Sequence, residues 1–326
     1  MKTNTTSHPG PLSRALFTSL LAVAALCAAP TAKAGQYLYI GSEDPSTGVS
    51  TVERVSPGGT VSLYATLPNG SNPYGLAFDT SGNLYVSEAN LSLINKVTPG
   101  GVVSTFATGI TTPTGLAFDS SGNLYAANGG APISGTINKI TPGGGVSLFA
   151  TLAGSFNPDY MTKDASGNLY TVGNNGGTNT QIDKITPASV VTSYASGLPG
   201  EFPGGLAFDK SGDLFVALSS ANQIDEVSPG GVVSTFATGI TSPAGLAVDS
   251  SGNVYAAEGS LGQIVEISPD GLTVTPFATG ITGPNDMAFG PASVPDTGNA
   301  GVLLAFTLGT VALLGRATRG RQNACA

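Results

Sequence analysis

The sequence predicts an all-β protein, a six-bladed β-propeller whose last blade is closed by strands from both ends of the chain. Three observations predict it. A segment of the form Pro-x-Gly-Leu-Ala-Phe-Asp-x-Ser-Gly-Asn-Leu-Tyr recurs along the middle of the chain, and its aspartates (Asp79, Asp119, Asp164, Asp209 and Asp249) stand 40 or 45 residues apart. Repeats of roughly that length are the size of one four-stranded blade. Between the marker residues the apolar positions alternate as in half-buried strands, and nothing has helical spacing. The repeat is also broken in complementary ways at its two ends.

One unit shows the logic. Gly75–Phe78 is the first strand, and Asp79–Asn83 closes it as a turn. Asp and Asn side chains bond nearby backbone groups there, and Gly accepts a positive φ. Leu84–Val86, Ile94–Val97 and Val102–Ala107 are the second, third and fourth strands, with Pro99–Gly101 turning the last pair. The first strands of all blades must converge on one axis, so Gly75 and Ala77 allow close backbone approach while Leu76 and Phe78 fill the space between blades. Repeated tyrosines at one strand position (Tyr85, Tyr125, Tyr170, Tyr255) read as blade-to-blade packing.

The ends complete each other. Pro284–Gly290 is a sixth first strand with no partners behind it, whereas Tyr37–Ile40, Val52–Val55 and Val61–Thr66 read as second to fourth strands with no first. Joined, they make a sixth blade and remove the exposed edges of an open sheet. The propeller is therefore expected over residues 35–293.

Composition and charge exclude several functions. Both cysteines, Cys27 and Cys325, and the sole histidine, His8, lie outside the repeats. The repeat domain thus has no disulfide framework, thiolate site or histidine base. Six basic and 19 acidic residues between Gly35 and Ser293 leave that region near −13. Nucleic acid is excluded as a partner, because phosphate binding needs clustered Lys and Arg. The surplus of carboxylates reads first as solubility and second as attraction for cations.

Residues 1–34 read as a secretory signal peptide: Lys2 and Arg14, then the apolar run Leu16–Ala29, then an Ala-x-Ala-like cleavage site at Ala32–Ala34. Leu26 is too large for a lipoprotein box at Cys27. Residues 294–326 carry Val294-Pro-Asp-Thr-Gly298, an apolar run over 300–315, then Arg316, Arg319 and Arg321. That run is slightly short of an ordinary spanning helix, and its basic end belongs on the cytoplasmic side. Motif, apolar run and basic tail together resemble the PEP-CTERM class of C-terminal sorting signals. The resemblance implies a transient membrane anchor, cleavage by an exosortase-type sorting enzyme, and residence at the cell envelope or extracellular surface.

The repeat consensus and the following Ile-x-Lys-Ile-x-Pro-Gly-Gly resemble the NHL-repeat, gluconolactonase-like and virginiamycin B lyase-like propellers, over roughly Gly35 to Pro291. These families share the blade and differ in the site. Candidate site residues are those that break the template. Pro99–Thr111 and Pro229–Thr241 are identical, so departures stand out. The first strands of blades three and six read Pro158-Asp-Tyr-Met and Pro284-Asn-Asp-Met where the others read Pro-x-Gly-Leu. Propeller topology puts Asp159, Asn285 and Asp286 at one channel mouth. It adds Glu88 and Glu258 from the ends of second strands, with Glu43 and Asp44 nearby. In the gluconolactonase-like family a channel-mouth metal is held by Asp, Asn and Glu. By that resemblance Asn285, Asp286 and Glu258 are the metal-ligand candidates, for a divalent cation such as Ca²⁺ or Mg²⁺. The histidine of virginiamycin-type lyases has no counterpart. The five Asp-x-Ser-Gly loops lack the further carboxylates of a calcium shell and read as turns. Two functions follow: a surface or matrix binding module for a small-molecule, cation or polysaccharide ligand, or a divalent-metal-dependent lactonase or lyase with no catalytic residue assignable.

Overall fold

A computed structural model describes residues 35–129, 135–153, 156–175, 180–200 and 202–291. The expected leader, sorting motif and apolar run 300–315 lie outside these residues. Among the described residues, no helix is long and apolar enough to cross a membrane.

The described chain forms six four-stranded antiparallel sheets. Their inner strands succeed one another around an axis in the order Pro73–Phe78, Pro113–Phe118, Phe156–Lys163, Pro203–Phe208, Pro243–Val248 and Pro284–Phe289, here blades one to six. The composite blade forms as expected. Pro284–Phe289 pairs with Leu38–Glu43 in antiparallel register (Leu38 opposite Phe289, Ile40 opposite Met287), and Ser50–Val55 and Val61–Thr66 complete the sheet. The described residues contain no α-helix. They do contain a 3₁₀ turn at Ser219–Ala221, which Asn222 ends in the left-handed region at φ 54°. That turn sits in the link between the second and third strands of blade four, where a short link must reverse tightly.

Every inner strand carries the same irregularity at its start. In blade one Pro73 faces Glu88 and Leu76 faces Val86, so Tyr74 and Gly75 together oppose Ser87. This β-bulge re-aims the backbone toward the axis. Gly115 and Gly245 occupy the second bulge position in blades two and five, and a Cβ on either would overlap the inner-strand backbone of the next blade, at Met161 and Asp286 respectively. Backbone proximity therefore selects glycine here.

Between blades the core is a repeated aromatic stack. Tyr85 stands edge-on to Phe106 of its own blade (4.7 Å) and to Phe118 of the next (4.9 Å). Tyr39 and Tyr170 are held the same way. Each such contact contributes about 0.5–1.5 kcal/mol beyond area burial. The tyrosine hydroxyl reaches the marker aspartate of its own blade: Tyr85 donates to Asp79 Oδ2 at 3.3 Å. Asp79 also accepts from the amides of Ser81 and Asn83 and from Asn83 Nδ2. The repeated motif is thus a turn and a packing device.

Candidate functional site

The residues that break the template converge on the axis. Blades three and six face each other across the ring. Tyr160 of blade three, buried, spans the channel and donates its hydroxyl to Asn285 Oδ1 of blade six at 2.5 Å. The other end of the Asn285 amide donates to the Pro73 carbonyl of blade one at 3.1 Å. Tyr74 of blade one lies against the Tyr160 ring, centroids 5.1 Å apart. One tyrosine thus bridges opposite walls, and a second braces it.

Two carboxyls flank this bridge. Asp286 sits at a position that is glycine in four blades, and its Oδ2 accepts the Leu76 amide at 2.8 Å, which ties blade six to blade one. It keeps part of its surface on the channel lumen while protein surrounds it on all sides. Burial pushes its carboxyl up to about 7, against the lowering pull of the Leu76 and Met287 amides. Burial likewise raises Asp159 to about 7. Both Tyr74 and Tyr160 are raised above the usual phenol value by burial first; next comes Asp159 for Tyr74, and Tyr74 followed by Asp286 and Asp159 for Tyr160. Burial disfavours the charged form of both acids, so each holds a proton to higher pH than an ordinary carboxyl.

Two recesses open on either side of the bridge. The one above it encloses about 540 Å³ and is lined by Glu43, Asn72, Asn90 and Asn285 among prolines and glycines. The one below encloses about 360 Å³ and is walled by Leu76, Leu116, Leu206, Leu246, Met161 and Met287, with Asp286 at its inner end. The upper wall offers amide and carboxylate side chains to a polar ligand; the lower combines aliphatic side chains with Thr162, Lys163 and Asp286.

The five predicted site residues do not form one set. Asp159, Asn285 and Asp286 surround the bridge, as their departure from the repeat suggested. Glu88 and Glu258 do not join them. Both are buried at the ends of second strands. Glu258 accepts the Thr241 amide and Gln263 Nε2, both at 2.5 Å, and Glu88 accepts Asn95 Nδ2 at 3.1 Å. Glu258 ties down the segment before its blade's inner strand, and Glu88 ties the third strand of its own blade. Asp44 is likewise absorbed by its turn, bonded to Ser46 and Thr47. Among the described residues, no group of three or more His, Cys, Asp or Glu side chains could hold a metal ion. Asn285, Asp286 and Glu258 each hydrogen-bond within the protein, to the Pro73 carbonyl, the Leu76 amide and the Thr241 amide respectively. Sequence reasoning missed Tyr74 and Tyr160. The signal was present: each is a large ring where the aligned axial positions hold Thr114, Gly204 and Ala244, or Gly115, Gly205 and Gly245.

Fold and site together define a closed six-bladed propeller with a bridged axial channel. The virginiamycin B lyase family model matches residues 60–282, and the chain belongs to that family. No characterised protein matches its sequence. Solved structures share the fold at low identity. A catalytically inactive histidine-to-alanine virginiamycin B lyase from Staphylococcus aureus with quinupristin is 16% identical, with TM-score 0.56 over 76% of this chain and 85% of its own. A chain of the nidogen–laminin complex is 17% identical, with TM-score 0.66 over 80% and 100%. Regucalcin, a calcium-binding protein from Agrobacterium tumefaciens, is 17% identical, with TM-score 0.57 over 72% and 85%.

Proposed function

We propose that this chain is a binding member of the family rather than a lyase, exported and held at the cell surface or matrix, and that its ligand sits in the recess above the bridge. The observation that carries the reading is the Tyr160–Asn285 bridge across the axis. It spends the polar groups of the channel on closing it. Two further observations support it. Loss of one histidine defines the inactive state of the S. aureus lyase, and the repeat domain here has no histidine. The recess wall offers amides and a carboxylate, which suit a hydroxyl-rich ligand such as a polysaccharide. The leader and the sorting signal supply the address, with processing by an exosortase-type enzyme.

Calorimetric titration with soluble polysaccharides tests this. Saturable binding that is lost in Asn285→Ala and retained in Asp119→Ala is the expected result. Turnover of a lactone or a cyclic depsipeptide on adding Ca²⁺ or Mg²⁺, abolished by Asp286→Asn, would instead establish the metal-dependent lactonase or lyase reading. Peptides from residues 300–315 in the mature native protein would refute the sorting step.

A further inference from the structure

The aromatic stack between blades lacks its second ring at two junctions. The next blade's inner strand contributes Phe78, Phe118, Phe208 and Phe289 at four, the apolar Val248 at a fifth, and Lys163 at the sixth, in blade three. Tyr39, Tyr85, Tyr170 and Tyr255 therefore each touch two rings. Tyr125 keeps Phe149 at 4.8 Å and has a lysine where its second ring would stand. A cavity of about 270 Å³ opens there, lined by Tyr125, Phe149 and Leu169, with Lys163, Ser121 and Ser166 among the residues at its polar edge.

We propose that this inter-blade slot binds a planar aromatic carboxylate, whose ring takes the third position of the stack and whose carboxylate meets Lys163. The size suits one ring, since the cavity lies just under the roughly 300–1,000 Å³ of drug-sized sites. The geometry suits a flat ligand, because edge-on aromatic contacts at 4.5–7 Å are the preferred ones. Lys163, exposed at the rim, is the cation lining the slot. Asp119 lines it too, but its oxygens are taken by the amides of Ser121 and Asn123, Asn123 Nδ2 and the Tyr125 hydroxyl, which leaves Lys163 to meet a carboxylate. Lys139 already stands over the Tyr125 ring, its Nζ 5.8 Å from the centroid, so a ligand ring approaches from the blade-three side. This site is independent of the recess above the bridge.

The test uses the whole propeller, titrated with benzoate and cinnamate by calorimetry, with benzyl alcohol and cyclohexanecarboxylate as probes lacking the charge or the ring. Planar carboxylates are expected to bind saturably and to shift the NMR signals of the Tyr125 and Phe149 rings. Lys163→Phe completes the stack, so it should abolish binding and raise the melting temperature. Lys163→Met should weaken benzoate roughly tenfold, about 1.4 kcal/mol, and leave benzyl alcohol unchanged; Lys210→Met on the same face should change neither. Equal benzoate affinity in Lys163→Phe, or no saturable binding and no ring shifts in the unmodified protein, overturns the proposal. Should Lys163→Phe fail to fold, the ring shifts and Lys163→Met decide it.

Discussion

Asp119 and Asp286 are the same residue type put to opposite uses, and the contrast between their regions organises this molecule. Asp119 lies in the turn at the end of an inner strand. Burial is the largest single influence and pushes its carboxyl up, but the bonds from Asn123, Ser121 and Tyr125 together outweigh it and hold the group below its usual value. Asp286 lies on the axis, where the Leu76 and Met287 amides do not offset its burial, and burial prevails. The turn region repeats because a charged group with enough donors stabilises each blade alike. The axis varies because six strands meet at one line, where a side chain from any blade occupies space shared by all.

The strongest way to break the contrast is to remove the axis from one blade. Deleting Pro284–Gly290 takes away the strand paired to Leu38–Glu43 and reopens the ring, so the cooperative thermal transition should be lost. A truncated protein that melts as sharply and as high as the intact one would contradict the closure.

Next in size is the charge state of Asp286. Its folded value near 7 lies above the ordinary 3.8. The folded state then binds a proton that the unfolded state has released between those values, so stability falls as pH rises from about 4 to about 7 and is level above. At about 1.36 kcal/mol per pK unit the ceiling is roughly 4 kcal/mol. Asp286→Asn keeps an oxygen for the Leu76 amide and cannot titrate. Urea midpoints measured across this range should slope downward in the unmodified protein, through Asp286 and Asp159 together, and flatten in the variant. Equal slopes would refute the assignment.

On the turn side, Asp119→Ala strips the acceptor from four donors and should cost about 1–3 kcal/mol at neutral pH. The sign is opposite to Asp286. A depressed carboxyl stabilises above its unfolded pKa, and that contribution is lost on acidification. The gap between Asp119→Ala and the unmodified protein should therefore close below pH 4, as denaturation curves at both pH values would reveal. The smallest effect belongs to Tyr160→Phe, which deletes the bridge hydroxyl and leaves both rings in place. About 0.5–1.5 kcal/mol is expected, with faster hydrogen exchange of the Asn285 side-chain amide as the specific sign. An unchanged exchange rate would show that the hydroxyl does not hold the bridge.

By itself the sequence determined the ring: six blades, the split sixth blade, the Asp turns and the tyrosine positions. These rest on period, strand alternation and local turn chemistry, all of which act within one repeat and so can be read from it. It also marked blades three and six as different, since Asp159, Tyr160, Asn285 and Asp286 stand against near-identical copies. Only the tertiary structure decided what those differences do. Whether Glu258 faces a ligand or the Thr241 amide depends on the direction of one side chain at a strand end. The meeting of Tyr160 with Asn285 joins residues 125 apart in sequence, from blades that no repeat places together. Propeller closure sets that encounter, because opposite blades touch only across the axis, and which side chain reaches over it depends on how much room the glycines of the other four leave.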